Sequence, residues 1–126
     1  MARSTDRSKR KPSGGRYHFT RGKKRQELAG FQANTKLSPD RKVKSARVRG
    51  GEVKFSMLAA SHVNVCDKKG KASKVEILNV VGNPANPHLV RRNIITKGAI
   101  VETKLGKVRI TSRPGQEAAL NGVLVA

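Results

Sequence analysis

Acidic, aromatic and cysteine residues are scarce in this chain, and tryptophan is absent. Of 126 residues, eight are Asp or Glu, four are aromatic (Tyr17, Phe19, Phe31 and Phe55) and one, Cys66, is cysteine. A single thiol excludes an internal disulfide and any zinc knuckle built on cysteine pairs. A reducing, cytosolic compartment is its simplest reading. The scattered carboxylates form no pair and no Asp/His cluster of ligand spacing, so neither a metal cage nor an acid–base couple emerges. So few rings leave no lipid-facing aromatic side for an interfacial helix. Long apolar runs are missing as well: stretches such as Met57 to Ala60 fall far short of the roughly 18 residues of a membrane span. No apolar segment follows the first basic residues, so a secretory signal is not expected.

Positive charge is abundant. Twenty-eight Lys and Arg give a formal net charge of +20 and a sequence pI near 11.4. Such a surplus repels itself and does nothing for compactness. It makes sense in a chain that lies against a polyanion, and nucleic acid is the leading one, because neutralising phosphates releases condensed counterions. The length allows one domain and little more.

Charge and core are distributed differently. Residues 1–42 hold four Leu, Ile, Val or Phe, and residues 43–126 hold 25. The first density is too low for burial to repay ordering entropy, whereas the second suffices for a small core. Yet each part carries a net +10, from thirteen cations against three acids and from fifteen against five. The leading third, residues 1–42, therefore reads as a basic arm, and residues 43–126 as a β domain. In the arm, Arg3, Arg7, Lys9, Arg10, Lys11, Arg16, Arg21, Lys23, Lys24 and Arg25 face one acid, Asp6. Pro12, Ser13, Gly14 and Gly15 break any helix there. This stretch is expected to take its shape from its partner, with a helical turn allowed over Lys23 to Leu28.

The second part reads as six or seven short strands with frequent turns, the pattern of a small barrel. Runs around Ala46–Val48 and Val53–Met57 flank Gly50-Gly51, a hairpin signal. His62 to Cys66 follows, with Val63 and Val65 on one face. Asp67 to Lys74 is a charged loop. Val75 to Val81, apolar on both faces, reads as a central strand. After the rigid Asn83-Pro84-Ala85-Asn86-Pro87 come predicted strands at Leu89 to Thr96, Ala99 to Thr103 and Lys107 to Thr111. Arg113-Pro114-Gly115 leads to a short helix at Gln116 to Leu120. Asn121-Gly122 reads as a turn before a last strand, Val123 to Val125.

Two constellations point to nucleic acid. In the arm, Arg10, Lys11, Arg16, Lys23, Lys24 and Arg25 can track phosphates. Gly14-Gly15 beside Ser13 lets backbone N–H groups approach oxygens, and Tyr17 and Phe19 offer rings to an unpaired base. The competing reading is a solubilising tail. These glycines are not a nucleotide-binding loop, which needs Gly-Lys-Ser/Thr opening a helix after a strand. In the domain, strand alternation sets Arg47 and Arg49 on one face, suited to gripping a phosphate. The competing reading is an ordinary solvated face. Arg91, Arg92 and Arg113 are weaker candidates of the same kind. No catalytic set emerges: His18, His62 and His88 are dispersed, and His62 with Cys66 lacks a third partner. A small hydrolase built on that pair is the remote enzymatic rival.

Read in order, these residues resemble a known family. Lys9-Arg10-Lys11-Pro12-Ser13-Gly14-Gly15-Arg16, then Lys23-Lys24-Arg25, Ala33-Asn34-Thr35-Lys36 and Arg47-Val48-Arg49-Gly50-Gly51 resemble small-subunit ribosomal protein eight of the archaeal and eukaryotic series. So do Asn83 through His88, Arg91 through Gly98, and Thr111 through Gln116, in the manner of archaeal members. One departure is Leu28-Ala29-Gly30, where the family pattern has Leu-Gly. The resemblance implies a six-stranded barrel with a basic extension, bound to small-subunit rRNA among neighbouring ribosomal proteins. It implies no catalysis, metal, cofactor, small-molecule substrate or membrane. The bet for RNA contact is Arg10, Lys11, Ser13, Gly14, Gly15, Arg16, Tyr17, Lys23, Lys24, Arg25, Lys36, Arg47, Arg49, Arg91, Arg92 and Arg113. A free nucleic-acid-binding or RNA-chaperone protein outside the ribosome is the alternative.

Overall fold

A computed structural model describes residues 7–19, 21–67 and 70–125; Arg3 and Asp6 of the basic cluster, and Lys68 and Lys69 of the charged loop, lie outside them. The chain divides into two compact units, Met1–Gln32 and Ala33–Ala126.

In the second unit the period-two patterns become eight strands: β1 (Lys36–Leu37), β2 (Lys42–Arg47), β3 (Val53–Ala60), β4 (His62–Cys66), β5 (Ala72–Gly82), β6 (Ile100–Thr103), β7 (Gly106–Ile110) and β8 (Asn121–Leu124). β4, β5, β6, β7 and β8 form a closed barrel, while β1, β3 and β2 pair as a separate three-stranded sheet. The all-β reading holds. Instead of six or seven strands in one ring, five close it, because residues 42–60 pair with each other and with β1.

Alternation sorts the side chains. On β4, Val63 and Val65 are buried while His62 and Asn64 face out. Val63 and Val65 join Ile77, Val80, Ile95, Ala99, Val101, Val108, Ile110 and Leu120 in one cluster, which Met57 and Ala60 at the base of β3 also enter. Closure comes from the parallel pairing of β4 with β8, register Asn64↔Asn121, Val65↔Gly122 and Cys66↔Val123. Asn64 Nδ2 donates to Asn121 Oδ1 at 3.1 Å across the seam. Register shifts along β5, between Ile77 and Asn79 and between Val80 and Gly82, bend it around the barrel.

Four local expectations change. Leu89 to Thr96 is not a strand: Pro87–Arg92 is a 3-10 helix, with Pro87 opening it and the Asn86 side chain accepting from His88 N–H at 3.0 Å. Asn93 ends it in the left-handed region, φ 50°. Asn121-Gly122 opens β8 and is not a turn. A Cβ on Gly122 would sit 2.5 Å from Val108 Cγ1 and 2.9 Å from Arg109 O, so this glycine serves close strand approach. Gln116 to Leu120 stays a turn, held by Gln116 and Glu117 N–H groups that both donate to Arg113 O at 2.9 Å. Finally, β5 is central, between β4 and β6, but buries one face: Ile77 and Val80 point inward, while Leu78 and Val81 are exposed.

Residues 33–42 lie in the second unit. Thr35 is buried and donates from Oγ1 to Met57 O at 2.6 Å, and β1 lies parallel to β3. Among the described residues, no helix is long and apolar enough to cross a membrane.

Candidate RNA interface

In the first unit, the sequence Lys9-Arg10-Lys11-Pro12-Ser13-Gly14-Gly15-Arg16-Tyr17 doubles back on itself. Lys11 N–H donates to Gly15 O at 2.8 Å, Gly14 N–H to Lys11 O at 3.0 Å and Tyr17 N–H to Lys9 O at 3.1 Å. Arg10 and Arg16 face each other in an antiparallel bridge. Gly14 takes φ +83°, which a side chain would disfavour, and so allows the reversal after Pro12 and Ser13. Arg10 Nη1 donates to Gly14 O at 2.8 Å, which folds this guanidinium over the turn. All residues from Lys9 to Tyr17 are exposed.

The rings organise the cations. The Arg7 guanidinium lies 4.6 Å from the Tyr17 ring centre and the Lys11 ammonium 5.6 Å from it, while the Lys9 ammonium lies 5.4 Å from Phe19. Arg7, Lys9 and Lys11 alternate along one strand of the small hairpin, and Tyr17 and Phe19 along the returning one. Arg7 and Lys9 were absent from the sequence-predicted site; their spacing of two, matching that of the rings, is the signal that finds them. Arg7, Lys9, Tyr17, Phe19, Arg21 and Lys23 line an open cleft.

Further on, Lys24 precedes a 3-10 turn at Arg25–Glu27, where the sequence allows one. Glu27 pairs with Arg21. The hydrogen bond from Arg21 holds the Glu27 carboxyl below its ordinary pKa, against an opposing effect of desolvation and with a smaller contribution from the Lys24 N–H. Neither Ala29 nor Gly30 has positive φ, so the departure at Leu28-Ala29-Gly30 imposes no left-handed strain. From residue 7 to residue 26 there is no carboxylate at all.

The second unit distributes its predicted cations over three places. Lys36 bridges to Ile94, and Leu37 N–H donates to Asn93 O at 3.0 Å, which sets Lys36 beside the end of the helix carrying Arg91 and Arg92. Arg47 and Arg49 sit at the tip of the β2–β3 hairpin, whose turn holds Gly50 and Gly51 at positive φ. Arg49 lies in the turn, beyond the end of β2, so strand alternation does not align it with Arg47. The Arg47 guanidinium folds instead to within 3.9 Å of the point where a Gly51 side chain would begin. Arg113 occupies the turn after β7, and the neighbouring Pro114 O accepts from Met57 N–H at 2.8 Å, holding that turn along β3. All six of these cations are exposed. Among the described residues, the only other ion pair is Lys104 with Glu76, at 3.3 Å.

His62 and Cys66 occupy opposite ends of β4, about 13 Å apart at strand rise, and His62 Nδ1 is engaged with Ser61 Oγ at 2.7 Å. Among the described residues, no group of three His, Cys, Asp or Glu converges as metal ligands.

Fold and surface together define a small, strongly basic, all-β protein with a cluster of cations on an N-terminal hairpin and further exposed cations on the domain that holds the barrel. The chain belongs to the family described as ribosomal protein S8e, which it matches over residues 4–125. It is 48% identical over 119 residues to the small ribosomal subunit protein eS8 of Methanococcus aeolicus, covering 94% of this chain and 93% of that one. The protein of the same name from Methanocorpusculum labreanum is 52% identical over 119 residues, covering 94% of each. That of Methanobrevibacter smithii is 47% identical over 126 residues, covering 99% of this chain and all of its own.

Proposed function

We propose that the chain is a non-catalytic structural constituent of the small ribosomal subunit in the cytoplasm, binding small-subunit rRNA by neutralising phosphates. Membership of a ribosomal protein family, with relatives named as small-subunit proteins along nearly the whole chain, supports the ribosomal role. The observation that carries the RNA mechanism is the hairpin of residues 7–17, with Arg7, Lys9, Arg10, Lys11 and Arg16 held close together and no carboxylate among them.

Crowding like charges costs free energy in an isolated chain. RNA removes that cost, because phosphates accept charge-assisted hydrogen bonds from Arg and Lys and release their counterions. Tyr17 and Phe19 act here as spacers that fix the cations through their ring faces. Lys36 with Arg91 and Arg92, Arg47 with Arg49, and Arg113 add separate phosphate contacts on the domain. Recognition is of backbone and shape, since A-form grooves give side chains poor access to base edges. Neighbouring ribosomal proteins complete the surroundings.

Footprinting of small-subunit rRNA with the full chain, alongside sedimentation of small subunits washed at moderate salt, tests this reading. Protection of a defined rRNA region and retention in the washed particle are expected. Loss of the protein into the supernatant would instead identify a free RNA-binding module.

A further inference from the structure

Unit Ala33–Ala126 has one aromatic residue, Phe55, and it is not in the core. The core is aliphatic: its largest fully buried side chains are Ile94, Ile95 and Ile110. A ring is the largest apolar group the unit possesses, and it is left 49% exposed on β3.

The register shows what surrounds it, on a face that is buried at its Met57 end and exposed from Phe55 outward. Val43↔Met57, Ser45↔Phe55 and Arg47↔Val53 are directly opposed, so these residues share one face of β2 and β3. Lys44↔Ser56 and Ala46↔Lys54 form the other face, where residues of the turn after β7 reach Ser56 and Lys54. There, Ser56 Oγ donates to Gly115 O at 2.8 Å and Lys54 Nζ to Gln116 Oε1 at 3.1 Å. On the Phe55 face, Val43 and Val53 remain exposed around the ring. Tyr17 and Phe19 carry cations over their rings; among the described residues, Phe55 carries none.

We infer that Phe55 is a stacking platform for an unpaired base of RNA, a site distinct from the cationic hairpin; this inference rests on the RNA-binding reading above. Charge favours that occupant: from Lys42 to Lys54 the hairpin carries Lys42, Lys44, Arg47, Arg49 and Lys54 against Glu52 alone. Arg47 stands opposite Val53 on the same face with its guanidinium toward Gly51 at the hairpin tip, so a phosphate adjoining the stacked base would meet it on the tip side of the ring. Three apolar side chains also fall far short of the roughly 800 Å² per partner that a stable protein interface buries, whereas they match the footprint of a base.

The chain lacks tryptophan, so Phe55→Trp introduces a single tryptophan at the platform, excited selectively at wavelengths where Tyr17 does not absorb. In the full-length protein, small-subunit rRNA is expected to quench its emission and a fully paired RNA duplex is not, with total binding followed by filter retention. Phe55→Leu, which keeps an apolar group but no ring, is expected to weaken rRNA affinity about ten-fold, with thermal unfolding unchanged. Unquenched emission while rRNA is retained, equal quenching by the duplex, or full affinity of Phe55→Leu each overturns the inference and leaves the proposed function standing. A blue shift without quenching in reconstituted small subunits overturns it in favour of an apolar protein partner. Failure of the unsubstituted chain to retain rRNA would remove the RNA-binding reading itself.

Discussion

Glu27 is the one carboxylate between Arg7 and Gln32, and its partner is fixed. Its pKa in the folded chain lies below the ordinary value because Arg21 donates to the charged form. The pairing is therefore complete above the ordinary carboxyl range and is lost as pH falls through the lowered folded pKa. An NMR titration of the Glu27 side chain should show a depressed midpoint, and Arg21→Ala should raise it. Thr35 makes a different residue-scale case. Its buried hydroxyl donates to Met57 O, and its own carbonyl accepts from Ile95 N–H at 2.8 Å, so it ties the segment before β1 to both β3 and the residues after the 3-10 helix. Thr35→Val keeps the shape and removes the donor. A loss of about 1–3 kcal/mol in denaturant unfolding is expected, with RNA affinity per folded molecule unchanged.

Among elements, the seam between β4 and β8 decides whether the barrel closes. Gly122 stands opposite Val65 there, and a side chain on it would run into the buried Val108 side chain and the Arg109 carbonyl, neither of which can move aside cheaply. Gly122→Ala should therefore destabilise by about 1–3 kcal/mol through overpacking, read as a lowered Tm, whereas Gly115→Ala, with Ala33 Cβ at an ordinary 3.7 Å, should change it far less. What the sequence discloses at this scale follows the strength of alternation. The hairpin at Gly50-Gly51 is legible from its turn chemistry, and the strand with Val63 and Val65 and the β6–β7 pair from period-two burial. Leu89 to Thr96 is not, since its apolar residues fit a strand or a helix equally; Asn86-Pro87, a cap followed by a helix-opening proline, is the signal that outweighs them. Asn121-Gly122 misleads for a related reason. The dipeptide favours turns, yet the glycine answers a tertiary need that only strand packing reveals. Among candidate site residues, the bunching of cations is visible in the sequence, but the partnership of Arg7 and Lys9 with the rings depends on the hairpin, and Phe55 stands out only once the core is seen to be aliphatic.

At the scale of the whole molecule, the core lies in the second unit while the cations are spread over both, and the part each set plays can be tested. Ten of the 28 cations lie in residues 1–32, while Thr35, β1 and the start of β2 belong to the unit that follows. A chain beginning at Ala33 should thus unfold cooperatively as a β domain, and one beginning at Val43 should be less stable, without the Thr35 hydrogen bond and the strand beside β3. The same truncation at Ala33 separates affinity from fold. If cations of the first unit meet phosphates, removing them lowers the slope of log affinity against log salt by about 0.9 for each phosphate no longer neutralised, at most about 9 for ten. Arg21, committed to Glu27, should contribute least to that change, so Arg21→Ala alone should leave the slope nearly as it is. Charge-removing substitutions at Arg10 or Lys11 should each reduce it by close to the value of a single phosphate. Equal slopes for the full chain and the truncated one, measured by filter binding to small-subunit rRNA over a salt series, would mean that the crowded cations of the hairpin find their counter-charge somewhere other than RNA.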